Sequence, residues 1–387
     1  MNLFNNFKTA LLLLIISVSS CNVRTENDAY QKIPLVQNGS FLVSDFVFSI
    51  EHVQLQLSHE SMVGNIDKLK VHDNKFFVLD REIAQALFVF DITGEFLFKL
   101  GQFGNGPGEF SEVTTFCLDE SGRIYVYDAD SYQLSIFNEK GRFERSLKFD
   151  FHAIDIEILR DEIYFYTGYA ETVHGKYNII RSNLDGDIVS KDFPFSTPVY
   201  FESSWNLHKI GDNSLRLVQS LDSKLHSFEA EGSEISYQLD FVGESMNLTD
   251  STYDVMNLEE QLNKHSRVLD SYVENTNYLY FLFFDAYETL SCFYDKVSRE
   301  LRVGALRNDL EWVPFSPMVF ADHNKLVGTV MAQDIIRTRQ YFESSGVEYK
   351  DEKNVFDHYF QNVKIDSNPI LTIYHLRENI KQKLDNK

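Results

Sequence analysis

Four turn glycines, Gly94, Gly141, Gly186 and Gly232, recur roughly 46 residues apart, within the segments DITGEF, NEKGRF, NLDGDI and EAEGSE. Glycine is favoured where φ must be positive, so each of these turns marks a hairpin between two apolar runs. The runs repeat as well. KFFVLD (residues 75–80) precedes ALFVF (86–90), and RIYVYD (123–128) precedes QLSIF (133–137). EIYFY (162–166) precedes YNIIR (177–181), and SLRLV (214–218) precedes KLHSF (224–228). Each unit reads strand, turn, strand, glycine turn, strand, and one further strand leads to the next unit. A unit of about 40–50 residues with four strands is a propeller blade, and a single blade cannot bury both its faces, so blades stack radially. A solenoid is the alternative architecture.

Two later units are less regular. YLYFLFF (278–284) and LSCFY (290–294) form a fifth, and residues 319–330 begin a sixth that ILTIYH (370–375) completes. An open ring would expose strand edges. The strand-like stretch 41–57 is therefore expected beside residues 370–375, closing the last blade. The expected fold is an all-β, six-bladed β-propeller over residues 33–378, with a short tail at 379–387. Two insertions interrupt the period, at 249–273 and 332–363. Their apolar residues fall at roughly helical spacing, which predicts helices or long loops over a propeller face.

Composition fits. Phenylalanine (33) and tyrosine (20) are abundant while proline (7) is scarce, a balance that favours strands. An apolar content of 43% supports a full core. The formal charge of −22 argues against nucleic acid as a partner and against a cationic membrane-binding face.

The chain begins as a secretory signal does. Lys8 precedes the apolar run TALLLLIISV (9–18), and VSSC places small residues before Cys21. That run is too short to span a bilayer as a helix, which takes roughly 20 residues. The VSSC ending resembles a bacterial lipobox, which implies cleavage after residue 20 and lipid on Cys21. Two or three acyl chains anchor a protein durably, at about 0.8 kcal/mol per buried CH₂. Residues 21–32 are polar and read as a tether. The expected location is the cell envelope, with the chain lipid-anchored and more at home on the outer than the inner membrane. The other cysteines, Cys117 and Cys292, lie in apolar strand-like runs and read as buried thiols, with a disulfide between them as the alternative.

Residues 94–110, GEFLFKLGQFGNGPGEF, combine a strand with a glycine-rich loop in which Gly101, Gly104, Gly106, Pro107, Gly108, Glu109 and Phe110 form the pattern G-x-x-G-x-G-P-G-E-aromatic. Together with MVGNI (62–66) and NPIL (368–371), this resembles the six-bladed, NHL-like β-propeller lipoproteins of Gram-negative gut bacteria. The resemblance covers nearly the whole chain after the signal. It implies the propeller fold and an envelope location, and its bearing on activity is small. The loop reads as a structural link between blades, with Pro107 fixing one φ and Glu109 accepting backbone N–H bonds. It lacks the Lys-Ser/Thr of a phosphate-binding P-loop.

Motifs for chemistry are sparse. There is no H-E-x-x-H, no G-x-S-x-G elbow and no Cys/His cluster. His323 and His358 lie near Asp322, Asp351 and Asp357. Some NHL-like relatives are metal-dependent lyases with channel histidines, so a divalent metal there is the alternative to ordinary surface histidines. No cofactor is otherwise called for. Asp80 and Asp128 end equivalent strands in successive blades and read as acceptors for turn amides, the alternative being channel ligands. Trp205 and Trp312, with Tyr200, Phe201, Pro314 and Phe315 nearby, read as packing or as sugar-stacking rings. The leading functional expectation is a non-catalytic module that binds a glycan, peptide or protein partner on a propeller face. The alternatives are a channel-sited, metal-dependent lyase or hydrolase and an envelope scaffold.

Overall fold

A computed structural model describes residues 30–377 apart from 105, 197–205, 220, 230–231, 246–257, 270, 286, 312, 314, 316 and 346–359. Signal peptide, Cys21 and C-terminal tail lie outside the described residues.

Six antiparallel sheets form six blades around one axis. Their innermost strands are Lys68–His72, Thr115–Leu118, Asp155–Leu159, Leu207–Ile210, Val273–Glu274 and Met318–Asp322. Each of these contacts the next, and the last contacts the first, so the ring is closed. The closing contact is covalently discontinuous. Val47–Gln54 pairs antiparallel with Ile370–Leu376, from Gln54 opposite Ile370 to Val47 opposite Leu376, and supplies the outer strand of blade 6. This is the closure expected from the sequence, and it removes the edge that an open last blade would leave.

The turns explain the 46-residue period. Asp91 Oδ1 accepts the N–H groups of Thr93 and Glu95, and Asn138 Oδ1 those of Lys140 and Arg142. Asn183 Oδ1 does the same for Asp185 and Asp187. Each turn then needs positive φ at its glycine, +89° at Gly94, +74° at Gly141 and +95° at Gly186. The side chain thus replaces a backbone acceptor and the glycine relieves the steric cost.

The core is divided by the same geometry. Six apolar clusters lie between successive blades, for example Phe77, Val89, Phe116 and Val126 between blades 1 and 2, and Tyr127, Ile136, Ile156 and Phe165 between blades 2 and 3. A seventh packs Ile335 of the helix Ala332–Ser345 against Phe360, Val363 and Ile370. That helix lies in the second insertion. The first contains the short helix Leu258–Lys264.

One boundary differs from expectation. Gln31 and Lys32, read as the end of a tether, belong to the strand Gln31–Pro34, which pairs parallel with the outer strand Gly232–Asp240 of blade 4. The chain then crosses blade 5, where Asn38 N donates to Val303 O (2.9 Å) and Phe41 N to Ala305 O (3.0 Å), before entering blade 6. Ile33, Leu35, Phe41 and Val43 are buried along this strap. It covers two outer edges that would otherwise offer free N–H and C=O groups.

Candidate functional site

The inner strands at 68–72 and 155–159 alternate charged and apolar residues, as KLKVH and DIEIL. Period-two alternation puts the apolar members against neighbouring blades and gathers the charged ones toward the axis. Lys68 Nζ donates to Asp155 Oδ1 (2.7 Å) and Thr115 Oγ1 (3.2 Å). Asp155 Oδ2 accepts the N–H groups of Asn206 and Leu207, both at 2.9 Å. One buried carboxylate therefore ties together the inner strands of blades 1 to 4. Burial alone would raise its pKa, but the Lys68 charge and these bonds outweigh burial and hold it below the usual carboxylate range.

One layer along the axis, Lys70 pairs with the fully buried Glu157. In blade 5, Glu274 accepts from Arg216 Nε (2.8 Å) and Nη2 (3.0 Å), from Lys296 Nζ (2.5 Å) and from Tyr272 Oη (2.5 Å). Burial opposes its ionisation, yet Arg216 and Lys296 prevail and hold the carboxyl at about 2. Arg216 also stacks over the Tyr237 ring, 5.0 Å from its centroid.

Above these pairs a cavity of about 520 Å³ opens at the face that carries the turns between first and second strands. All six blades line it. Its carboxylates are Asp119, Glu120, Glu157, Asp212, Glu274 and Asp322, and its lysines Lys70 and Lys209. Glu157 and Glu274 are already neutralised from within. Asp119 spends Oδ1 on Ser121 N (2.9 Å) and Arg123 N (3.0 Å) of its own turn. Glu120, Asp212 and Asp322 remain at the mouth without a lysine or arginine partner among the described residues. The volume suits a side chain or a small sugar. The chemistry is that of an acceptor-rich, negatively charged recess.

The residues singled out from the sequence fall as follows. Asp80 Oδ1 accepts Ile83 N (2.9 Å) and Ala84 N (3.0 Å), and Oδ2 accepts Gly64 N (2.6 Å) and Asn65 N (3.1 Å). Asp128 serves Asp130, Ser131 and Ser111 in the same way. Both hold turns, away from the cavity. Asp285 repeats the role in blade 5 by accepting Val242 N and Gly243 N, a member that sequence reading missed. In the blade-linking loop, Glu109 Oε2 accepts Gly106 N at 2.8 Å, and Gly101, Gly104 and Gly108 have positive φ. A Cβ on Gly104 would stand 2.1 Å from Glu109 Oε2. Pro107 is exposed on this loop, while Phe110 is buried between blades 1 and 2.

His323 lines the mouth, largely exposed, with its Nε2 3.9 Å from Asp322. His358, Asp351 and Asp357 lie outside the described residues, as do Trp205, Trp312, Tyr200, Phe201 and Pro314. Phe315 is a packing residue, with ring contacts to Tyr280 (5.5 Å) and Tyr374 (4.7 Å). Among the described residues no group of three or more His, Cys, Asp or Glu is arranged to hold a metal. Cys117 and Cys292 are free and buried in separate blades, and burial pushes both thiols well up. No helix among the described residues is long and apolar enough to cross a membrane.

A family model described as "Domain of unknown function (DUF4934)" matches residues 30–375. No curated protein matches the chain. Among solved structures, a Bacteroides fragilis protein named for its inferred export superposes with a TM-score of 0.73 at 16% identity, covering 89% of this chain and 100% of its own. A member of the DUF4221 family from Bacteroides vulgatus superposes with a TM-score of 0.52 at 11% identity, covering 86% and 97%. At these identities the likeness speaks for the shared fold.

Proposed function

The chain belongs to the DUF4934 family, and within it we propose that this member is an exported, lipid-anchored propeller that recognises a ligand without transforming it. One observation carries the reading. The buried charged groups around the channel, Lys68, Lys70, Asp155, Glu157, Arg216 and Glu274, are bound to one another across blades, and Lys296 of blade 5 adds a second cation to Glu274. A general acid or base needs a pKa near the working pH and a free path to substrate. Asp155 and Glu274 are instead held below the carboxylate range. What faces the opening is a set of acceptors suited to the hydroxyls of a glycan or the ammonium of a peptide.

The anchor reading rests on the signal-like run at residues 9–18 and the VSSC sequence ending at Cys21. The NHL-like character rests on the blade-linking loop at 101–110. The strap places residue 30 at the outer edge of blade 4, so a tether from Cys21 would join the propeller at its rim and leave both faces accessible.

The test is a thermal-shift panel on the lipid-free chain from residue 22 onward, with glycans, short peptides, divalent metals and a chelator. Ligands that bind the folded state raise its melting temperature. A shift with a glycan or cationic peptide, lost in Asp212→Asn, is the expected result. A metal-dependent shift reversed by chelator would replace this reading with that of a metal-dependent lyase or hydrolase.

A further inference from the structure

The exposed large apolar side chains are divided unevenly between the two propeller faces. One face carries the turns between first and second strands and those between third and fourth strands, and of the exposed large hydrophobes among the described residues only Ile92 and Val297 lie in its turns. The other face carries the links from one blade's outer strand to the next inner strand and the turns between second and third strands. On it Met62, Ile83, Phe103, Tyr132, Val173 and Tyr287 stand in solvent. Phe103 is 80% exposed and Tyr287 78%. Tyr132 and Tyr287 are moreover held at φ +55° and +70°, a region bulky residues seldom occupy. Single exposed hydrophobes are ordinary; their concentration on one face is what calls for a cause.

Exposed carboxylates stand beside these tips: Glu60 near Met62, Asp130 near Tyr132 and Glu288 next to Tyr287 have no lysine or arginine partner among the described residues, while Glu82 and Glu171 pair loosely with Arg81 and Lys176 at 3.8 and 3.9 Å. These carboxylates would be repelled by an anionic lipid surface and attracted by lysine or arginine. The N-terminal strand joins at the rim and does not occupy this face.

We infer that this loop face docks a second protein, one presenting an apolar patch bordered by basic side chains. The inference rests on the reading of the chain as a recognition module and goes beyond it by naming the face and the partner's chemistry. Aromatic and methionine tips supply the anchors such interfaces favour, and the carboxylates supply the polar rim.

The experiment uses the full-length protein in its native membrane, with a photo-crosslinking phenylalanine analogue at the position of Phe103 or Tyr287, and of Glu120 or His323 as opposite-face controls. The expected result is one protein adduct of the same mass from Phe103 and Tyr287, and no adduct of that mass from the controls. Its crosslinked peptide, mapped by mass spectrometry, carries lysine or arginine beside apolar residues. Ile83→Asp lowers the yield ten-fold or more, the scale of a lost interface anchor, without changing the melting temperature. Adducts from the control positions alone overturn the docking face and leave the recognition reading standing, while adducts from neither face count against both. Adducts to lipid from Phe103, or co-sedimentation with phosphatidylglycerol vesicles, make this a membrane-contacting face and overturn protein docking.

Discussion

Glu274→Gln removes one charge from the channel and little volume. The amide keeps an acceptor oxygen but leaves Arg216 and Lys296 buried without their counter-ion. Two routes give the magnitude. Breaking a buried pair from one side costs about 3–5 kcal/mol. The carboxyl is held at about 2 against an ordinary 4.5, and at roughly 1.4 kcal/mol per unit this corresponds to about 3 kcal/mol. A depressed folded-state pKa means that the contribution is complete above 4.5 and is lost as pH falls towards about 2. Urea denaturation of wild type and Glu274→Gln at pH 7 and pH 3 is the assay. The difference should be about 3 kcal/mol at pH 7 and roughly half that or less at pH 3. A difference below about 1 kcal/mol at pH 7, or one that is the same at both pH values, would refute the reasoning.

Deleting residues 1–54 removes the outer strand of blade 6 and bares the edge of Ile370–Leu376; light scattering should show self-association, and a monomer melting like the parent would count against closure. Gly304→Ala places a Cβ 1.7 Å from the Gly39 carbonyl, whereas Gly232→Ala meets nothing within 4 Å. The first should therefore cost about 1–3 kcal/mol more than the second in thermal melts, and equal losses would mean that the strap does not press on blade 5. In the lipid-free chain, Cys117 and Cys292 should be inert to a thiol reagent until denaturant is added, then react together; fast native labelling of either would contradict its burial.

The parts legible in the sequence are those whose signal is local. An Asp or Asn three residues before a glycine, flanked by apolar runs, specifies its turn within six residues, so blades 1 to 3 and their spacing could be read directly. Closure was legible for a topological reason, because residues 41–57 had strand character and the last blade lacked a strand. The channel network was not. Lys68 and Asp155 are 87 residues apart and Arg216 and Glu274 are 58 apart. Only the ring brings them together. The alternation in KLKVH and DIEIL was the available signal, since charges have little reason to sit on an inner strand unless they pair across the axis. The strap escaped notice because QKIP is short and polar on one side, and its partner strand belongs to a blade 200 residues away.

The most direct test of the central claim, recognition without chemistry, is to incubate the lipid-free protein with a ligand found by thermal shift and then recover and weigh that ligand by mass spectrometry. The account predicts saturable binding, weakened by Asp212→Asn, and a ligand recovered at its original mass. A ligand recovered cleaved or with an elimination product, at a rate that depends on the protein, would contradict it.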